Sequence, residues 1–167
     1  MRRIVILVTK RYIFSMYIFA VTFLMFIFPI VSIVIEILVN KNHSALIELI
    51  GKWFVFWAIG IRLFTAGLRQ IIKPGLTSEG ILGIKSKEAW QLVRELGFAN
   101  VAMGITGIIT LWKPDWLLPE ALIGGLFLLL AGLEHVPKKN RNFEENLAMY
   151  SDLAIGVVMA VFVIAKF

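Results

Sequence analysis

The chain contains no cysteine. This excludes disulfides, thiolate metal sites and a cysteine nucleophile, and removes any dithiol redox role for this chain alone. Histidine is scarce as well: His43 and His135 are the two present, and neither belongs to an H-E-x-x-H pattern or has a histidine four residues away. The sequence therefore calls for no metal and no other cofactor. The serines Ser78, Ser86 and Ser151 lack a base in any nucleophile motif, and GILGI (80–84) does not form the G-x-x-x-x-G-K-[ST] pattern of a phosphate-binding loop. With neither a nucleophile and base nor a metal set, a non-enzymatic role is the first expectation.

Apolar surface is what the chain has in quantity. Of its 167 residues, 59% are hydrophobic and 13% aromatic, and the mean hydropathy is +0.86, well outside the balance of soluble domains. A membrane span needs about 20 residues, so the length accommodates four or five. The formal charge of +6 does not point to nucleic acid, because the basic residues adjoin apolar runs instead of interleaving with aromatics. The lipid bilayer is the expected partner, with a membrane-protein partner or a second copy of the chain as further candidates.

The expected fold class is all-α, an integral membrane helical bundle of about five transmembrane helices. Arg2, Arg3, Lys10 and Arg11 precede an apolar run from Tyr12 to Val39, too long for a signal h-region and without an A-x-A-like site. It reads as an uncleaved signal anchor (1–43), with Pro29 set to kink it. Residues 44–167 form the expected four-helix membrane domain. Span 2 runs from Ser44 to about Ile72, where Pro74 and Gly75 stop it, and GLTSEGILGIKS (75–86) reads as a loop. Span 3 is capped by Ser86, with Glu88 in its first turn, and leaves the membrane at Trp112. Span 4 starts near Pro119 and stops before Pro137; span 5 covers about 147–167. Asn42 in NHS matches a short glycosylation sequon.

Orientation follows from Lys and Arg on alternate connections. Twelve fall on the side of the N-terminus, the 69–94 connection and the 138–141 connection, and four (Lys41, Lys52, Lys113, Lys166) on the other. The N-terminus is thus expected in the cytoplasm and the C-terminus outside, in a prokaryotic cytoplasmic membrane. Trp112 and Trp116, with Trp53 and Trp57, fit an outer aromatic belt.

That topology gathers polar residues at the cytoplasmic ends of the spans: Arg62, Arg69, Arg94, Glu95, Asn100, Glu134, His135 and Asp152. Arg62 lies seven residues before Arg69, on nearly the same face and about 10 Å deeper. An isolated charge at that depth costs about 2.5–3.5 kcal/mol, so Arg62 must face the bundle and find a partner. Gly97, Asn100, Gly104 and Gly107 share one side of span 3, and Ala121, Gly125 and Gly132 one side of span 4, as close helix packing requires. Two readings of the cluster compete. One is a latch of ion pairs between helix ends, with Glu134 and His135 serving Arg62, Arg69 or Arg94; the other is a cavity that binds a polar headgroup or anion, or relays protons.

The segments RELGFANVAMGITGI (94–108), IGGLFLLLAGLEH (123–135) and NRNFEENLAMYSDL (140–153) together resemble a family of small, uncharacterised prokaryotic multi-pass membrane proteins, broadly similar to DoxX-like four-helix membrane proteins. The resemblance covers about residues 50–167 and implies a four-helix core from spans 2–5, with span 1 an addition. It implies no activity. The wider DoxX-like group includes proteins associated with thiol-stress or oxidoreductase assemblies, a role that a chain without cysteine does not fit. The leading expectation is an accessory or binding module for a lipid, a small amphiphile or a partner protein. A small transporter or proton-coupled channel using Arg62, Glu95, Glu134 and Asp152 is the alternative, and a membrane-embedded enzyme acting on a lipid or quinone the second.

Overall fold

The computed structural model describes Ser15 and residues 17–40, 45–80 and 82–167. The basic residues Arg2, Arg3, Lys10 and Arg11, the first turn expected of span 1, and Lys41, Asn42, His43 and Ser44 lie outside them. Among the described residues every regular element is helical. Helix α1 spans Tyr17–Val39. Helix α2 runs unbroken over 46–72, as Leu46–Phe54, a π-helical stretch Val55–Ile61, and Arg62–Ile72. Helix α3 is Pro74–Gly80, α4 is Ala89–Ile109, α5 is Leu117–His135 behind a 3₁₀ turn at Pro114–Trp116, and α6 is Phe143–Lys166.

Four of these helices, α1, α4, α5 with its 3₁₀ turn, and α6, are long and apolar enough to cross a membrane. The protein is an all-α bundle of membrane character. Its outer surface is rich in large apolar side chains, such as Leu38 and Ile164, while polar residues such as Gln70, Asn100 and Asp152 are buried. That inversion suits a hydrocarbon surround, where an outward polar group costs free energy and an inward one can be paired.

The bundle is two tight pairs, α2 with α4 and α5 with α6, and α1 lies along α2. A wholly buried apolar core joins them: Val55, Ala58, Ile59 and Leu63 of α2, Met25 of α1, Leu128 of α5, and Ile155 and Met159 of α6. The kink expected at Pro29 takes the form of a wide turn just before it. Proline donates no N–H and its ring crowds the carbonyl four residues back; a π-helical turn over Phe23–Ile27, with the Phe28 N–H bonded to Phe23 O, takes up the misfit. At the same end of the bundle as the C-terminus, Glu36 accepts from Lys52 Nζ (2.8 Å) and from Trp53 Nε1 (2.7 Å), and Trp57 Nε1 donates to Ser32 Oγ (2.9 Å). Trp53 and Trp57 therefore tie α2 to α1, whereas Trp112 and Trp116 are exposed, as a belt requires.

Three local expectations change. The segment after Ile72 is not simply a loop: Pro74 starts α3, whose Pro74, Thr77 and Ser78 are buried, and Gly75 sits against the Trp90 ring of α4. The chain then turns at Gly83, with φ 71°, a left-handed conformation that glycine adopts without Cβ strain. Ser86 is not the cap of α4, which begins three residues later behind Glu88. Helix α6 starts at Phe143 because Asn142 caps it, its Oδ1 accepting from the Glu145 N–H at 2.8 Å.

Candidate functional site

At the end of the bundle opposite the C-terminus the helices do not close. They leave a cavity of about 450 Å³ with walls from α1 to α6, within the size range of small-molecule sites. One stripe of α2 forms most of its basic wall: Arg62, Ala66 and Arg69 are spaced by four and three residues, which a helix places on one face, and Lys73, just past the end of α2 in a non-helical conformation (φ −134°, ψ 64°), extends the wall. Opposite stand Tyr17 and Val21 of α1, Asn100 of α4, Phe127 and His135 of α5, and Asp152 of α6. Most of the wall is apolar.

Polar groups in the wall pair in a definite pattern. Arg62 Nη2 lies 3.0 Å from Asp152 Oδ1, and both side chains are largely buried. Asn100 Nδ2 donates to Gln70 Oε1 at 2.7 Å, joining α4 to α2 inside the bundle. His135 Nδ1 is 3.5 Å from Glu145 Oε1, which also takes a hydrogen bond from Lys138 Nζ at 2.8 Å. Arg69 and Lys73 have no ion-pair partner among the described residues. Every acid of the chain is described, since residues 1–14, 16, 41–44 and 81 include no Asp or Glu. Among the described residues the cavity therefore holds three cations, Arg62, Arg69 and Lys73, against one carboxylate.

The connection from α5 to α6 is held by Arg141. Its Nη1 donates to the carbonyls of His135 (2.8 Å), Val136 (2.9 Å) and Lys138, and its Nε to Asn146 Oδ1 (2.8 Å). A helix ends with carbonyls that lack partners, and a guanidinium fork satisfies several at once. Arg141→Ala is expected to lower unfolding free energy by about 1–3 kcal/mol, and Arg141→Lys to recover less than half of the loss; denaturant titration in neutral detergent measures both.

The structure brings Arg62, Arg69, Asn100, His135 and Asp152 to one cavity. It leaves Arg94, Glu95 and Glu134 exposed on helix surfaces. Glu95 accepts from Gln91 Nε2 of its own helix at 3.2 Å. Among the described residues Glu134 forms no ion pair, and His135 faces Glu145, so the expected pairing of that acid and histidine with Arg62, Arg69 or Arg94 is corrected. Lys73, Tyr17 and Thr77 were not singled out. For Lys73 a signal existed, since it follows Arg69 by four residues at the end of α2; Tyr17 and Thr77 come from elements whose placement no local pattern specifies.

The family described as "Family of unknown function (DUF6790)" matches residues 19–166. The chain belongs to DUF6790. The match takes in nearly all of α1 together with α2–α6. Searches of curated proteins and of solved structures give no match. What this DUF6790 chain does must therefore be read from its cavity.

Proposed function

We propose that this chain is a non-enzymatic, multi-pass protein of the prokaryotic cytoplasmic membrane, N-terminus inside and C-terminus outside, that holds a small anionic amphiphile at its cytoplasmic end. Helices α2, α4, α5 and α6 would be the DoxX-like core of the proposal. The observation that carries it is the cavity, where an apolar wall meets two cations without acidic partners. A soluble anion has no use for Val21, Leu96 and Phe127, and an uncharged lipid tail none for Arg69 and Lys73; an amphiphile uses both.

Binding fits better than transit. Beyond Arg62 and Asp152, toward the far end of the bundle, Ile59, Val55, Leu128 and Ile155 are wholly buried in one core. An ion leaving the cavity in that direction would cross packed hydrocarbon.

Dodecanoate, presented to the full chain in neutral detergent, is expected to raise the melting temperature and to bind at least tenfold tighter than butanoate. Ala131→Phe adds bulk to the cavity wall without replacing a charged residue and is expected to abolish the effect of dodecanoate while the ligand-free protein still melts cooperatively. Undiminished dodecanoate binding by Ala131→Phe would overturn the reading.

A further inference from the structure

From the charge balance of the cavity, and resting on the amphiphile reading above, we infer that its occupant carries a phosphate monoester head, a dianion, in preference to a carboxylate or a phosphodiester. Arg62 is compensated by Asp152 at 3.0 Å. Arg69 and Lys73 are not compensated, and every acid in the chain is among the described residues, so no carboxylate outside them supplies the missing charge. Glu144, whose field reaches Tyr17, does not line the cavity. Setting His135 aside, the site has two positive charges in excess.

A phosphate monoester carries about −1.5 to −2 at pH 7 and offers three strong acceptor oxygens. A phosphodiester or carboxylate carries a single charge and fewer acceptors. The polar wall presents donors in matching number: the Arg69 guanidinium fork, the Lys73 ammonium, and the amide N–H groups of the Gln70–Asn100 pair. Arg69 is half-buried, while Lys73, just past the end of α2, is exposed, so a head seated on Arg69 meets a second cation on a flexible stem.

The head could belong to a lipid phosphate or to a soluble one, and the experiment separates these sources. The full chain in neutral detergent at pH 8 is titrated by native mass spectrometry or calorimetry with dodecyl phosphate, its methyl diester, and methyl phosphate. Dodecyl phosphate is expected to bind about tenfold tighter than the diester, because the monoester brings a second negative charge and a third acceptor oxygen to the two uncompensated cations, and methyl phosphate is expected to bind far more weakly. Arg69→Gln should reduce the preference for the monoester to about twofold or less. Lys73→Gln, at an exposed position where folding is not at stake, should reduce it in part.

Equal affinity for dodecyl phosphate and its methyl diester overturns the dianion inference and leaves the amphiphile reading standing. Methyl phosphate binding as tightly as dodecyl phosphate upholds the monoester and assigns it to a soluble source, against the amphiphile reading. If none of the three binds and dodecanoate also fails, both fall.

Discussion

Asp152→Ala is expected to lower unfolding free energy by about 3–5 kcal/mol, the usual result of stripping a buried ion of its partner. The Arg62 and Asp152 side chains are 14% and 9% exposed, so solvent screening relieves little of the loss. No other acid lines the cavity to take over Arg62, and the next cation on the same face of α2 is Arg69, so the variant leaves two like charges on one wall. Arg62→Ala should cost less. An orphaned carboxyl can bind a proton and become neutral, whereas a guanidinium cannot shed one. Arg62→Leu combined with Asp152→Leu removes both charges and should fall within about 2 kcal/mol of the natural protein, because well-packed apolar residues often replace a buried pair without loss. Denaturant titrations of the four proteins in one neutral detergent test the set. If Asp152→Ala is no less stable than Arg62→Ala, the pair is not the tie between α2 and α6 that the geometry makes it.

That Arg62 needs a partner was legible in the sequence, because a cation deep in an apolar helix must be paired; which acid supplies it was not, since the expected one was Glu134 and the structure uses Asp152. The small-residue face of α4 was legible too, since Gly97, Asn100, Gly104 and Gly107 are all buried. Helical phase, not nearness in sequence, decides which of the other polar residues turn inward. Val93 lies on the buried stripe of α4, so Arg94 and Glu95 are turned from it by about 100° and 200° and face outward. Glu134 faces outward in the same way, one position from the buried His135. The cavity itself was only half visible. Its basic wall is a stripe of α2 with Lys73 just beyond it, but its closure by Tyr17 from α1 and Thr77 from α3 depends on how distant elements dock. The π-helical turns at 23–27 and 55–61 left no periodic signature, because each shifts the face of a helix without altering its composition.

The second large effect is expected at Gly67, where α2 and α4 approach to backbone contact. A Cβ placed there would lie 2.6 Å from Gly97 O and 2.8 Å from Val101 N. In the reverse direction, a Cβ on Gly97 would lie 2.9 Å from Gly67 O. These neighbours are main-chain atoms of a continuous helix and cannot rotate aside, so the two helices must separate. Overpacking usually costs about 1–3 kcal/mol; Gly67→Ala is expected at the upper end and Gly67→Val beyond it. Gly80→Ala provides the contrast, because a Cβ there meets nothing within 4 Å, and it should change stability by less than about 1 kcal/mol in either direction. The consequence extends to the site, since Gly67 lies between Arg62 and Arg69 on α2 and faces the helix that carries Asn100. Pushing α2 off α4 would stretch the 2.7 Å bond between Asn100 and Gln70 and move Arg69 relative to the opposite wall. Gly67→Ala should therefore lose dodecanoate binding even at temperatures where its circular dichroism still reports a folded bundle. A Gly67→Ala protein as stable as Gly80→Ala, with dodecanoate affinity intact, would show that this crossing does not set the shape of the cavity.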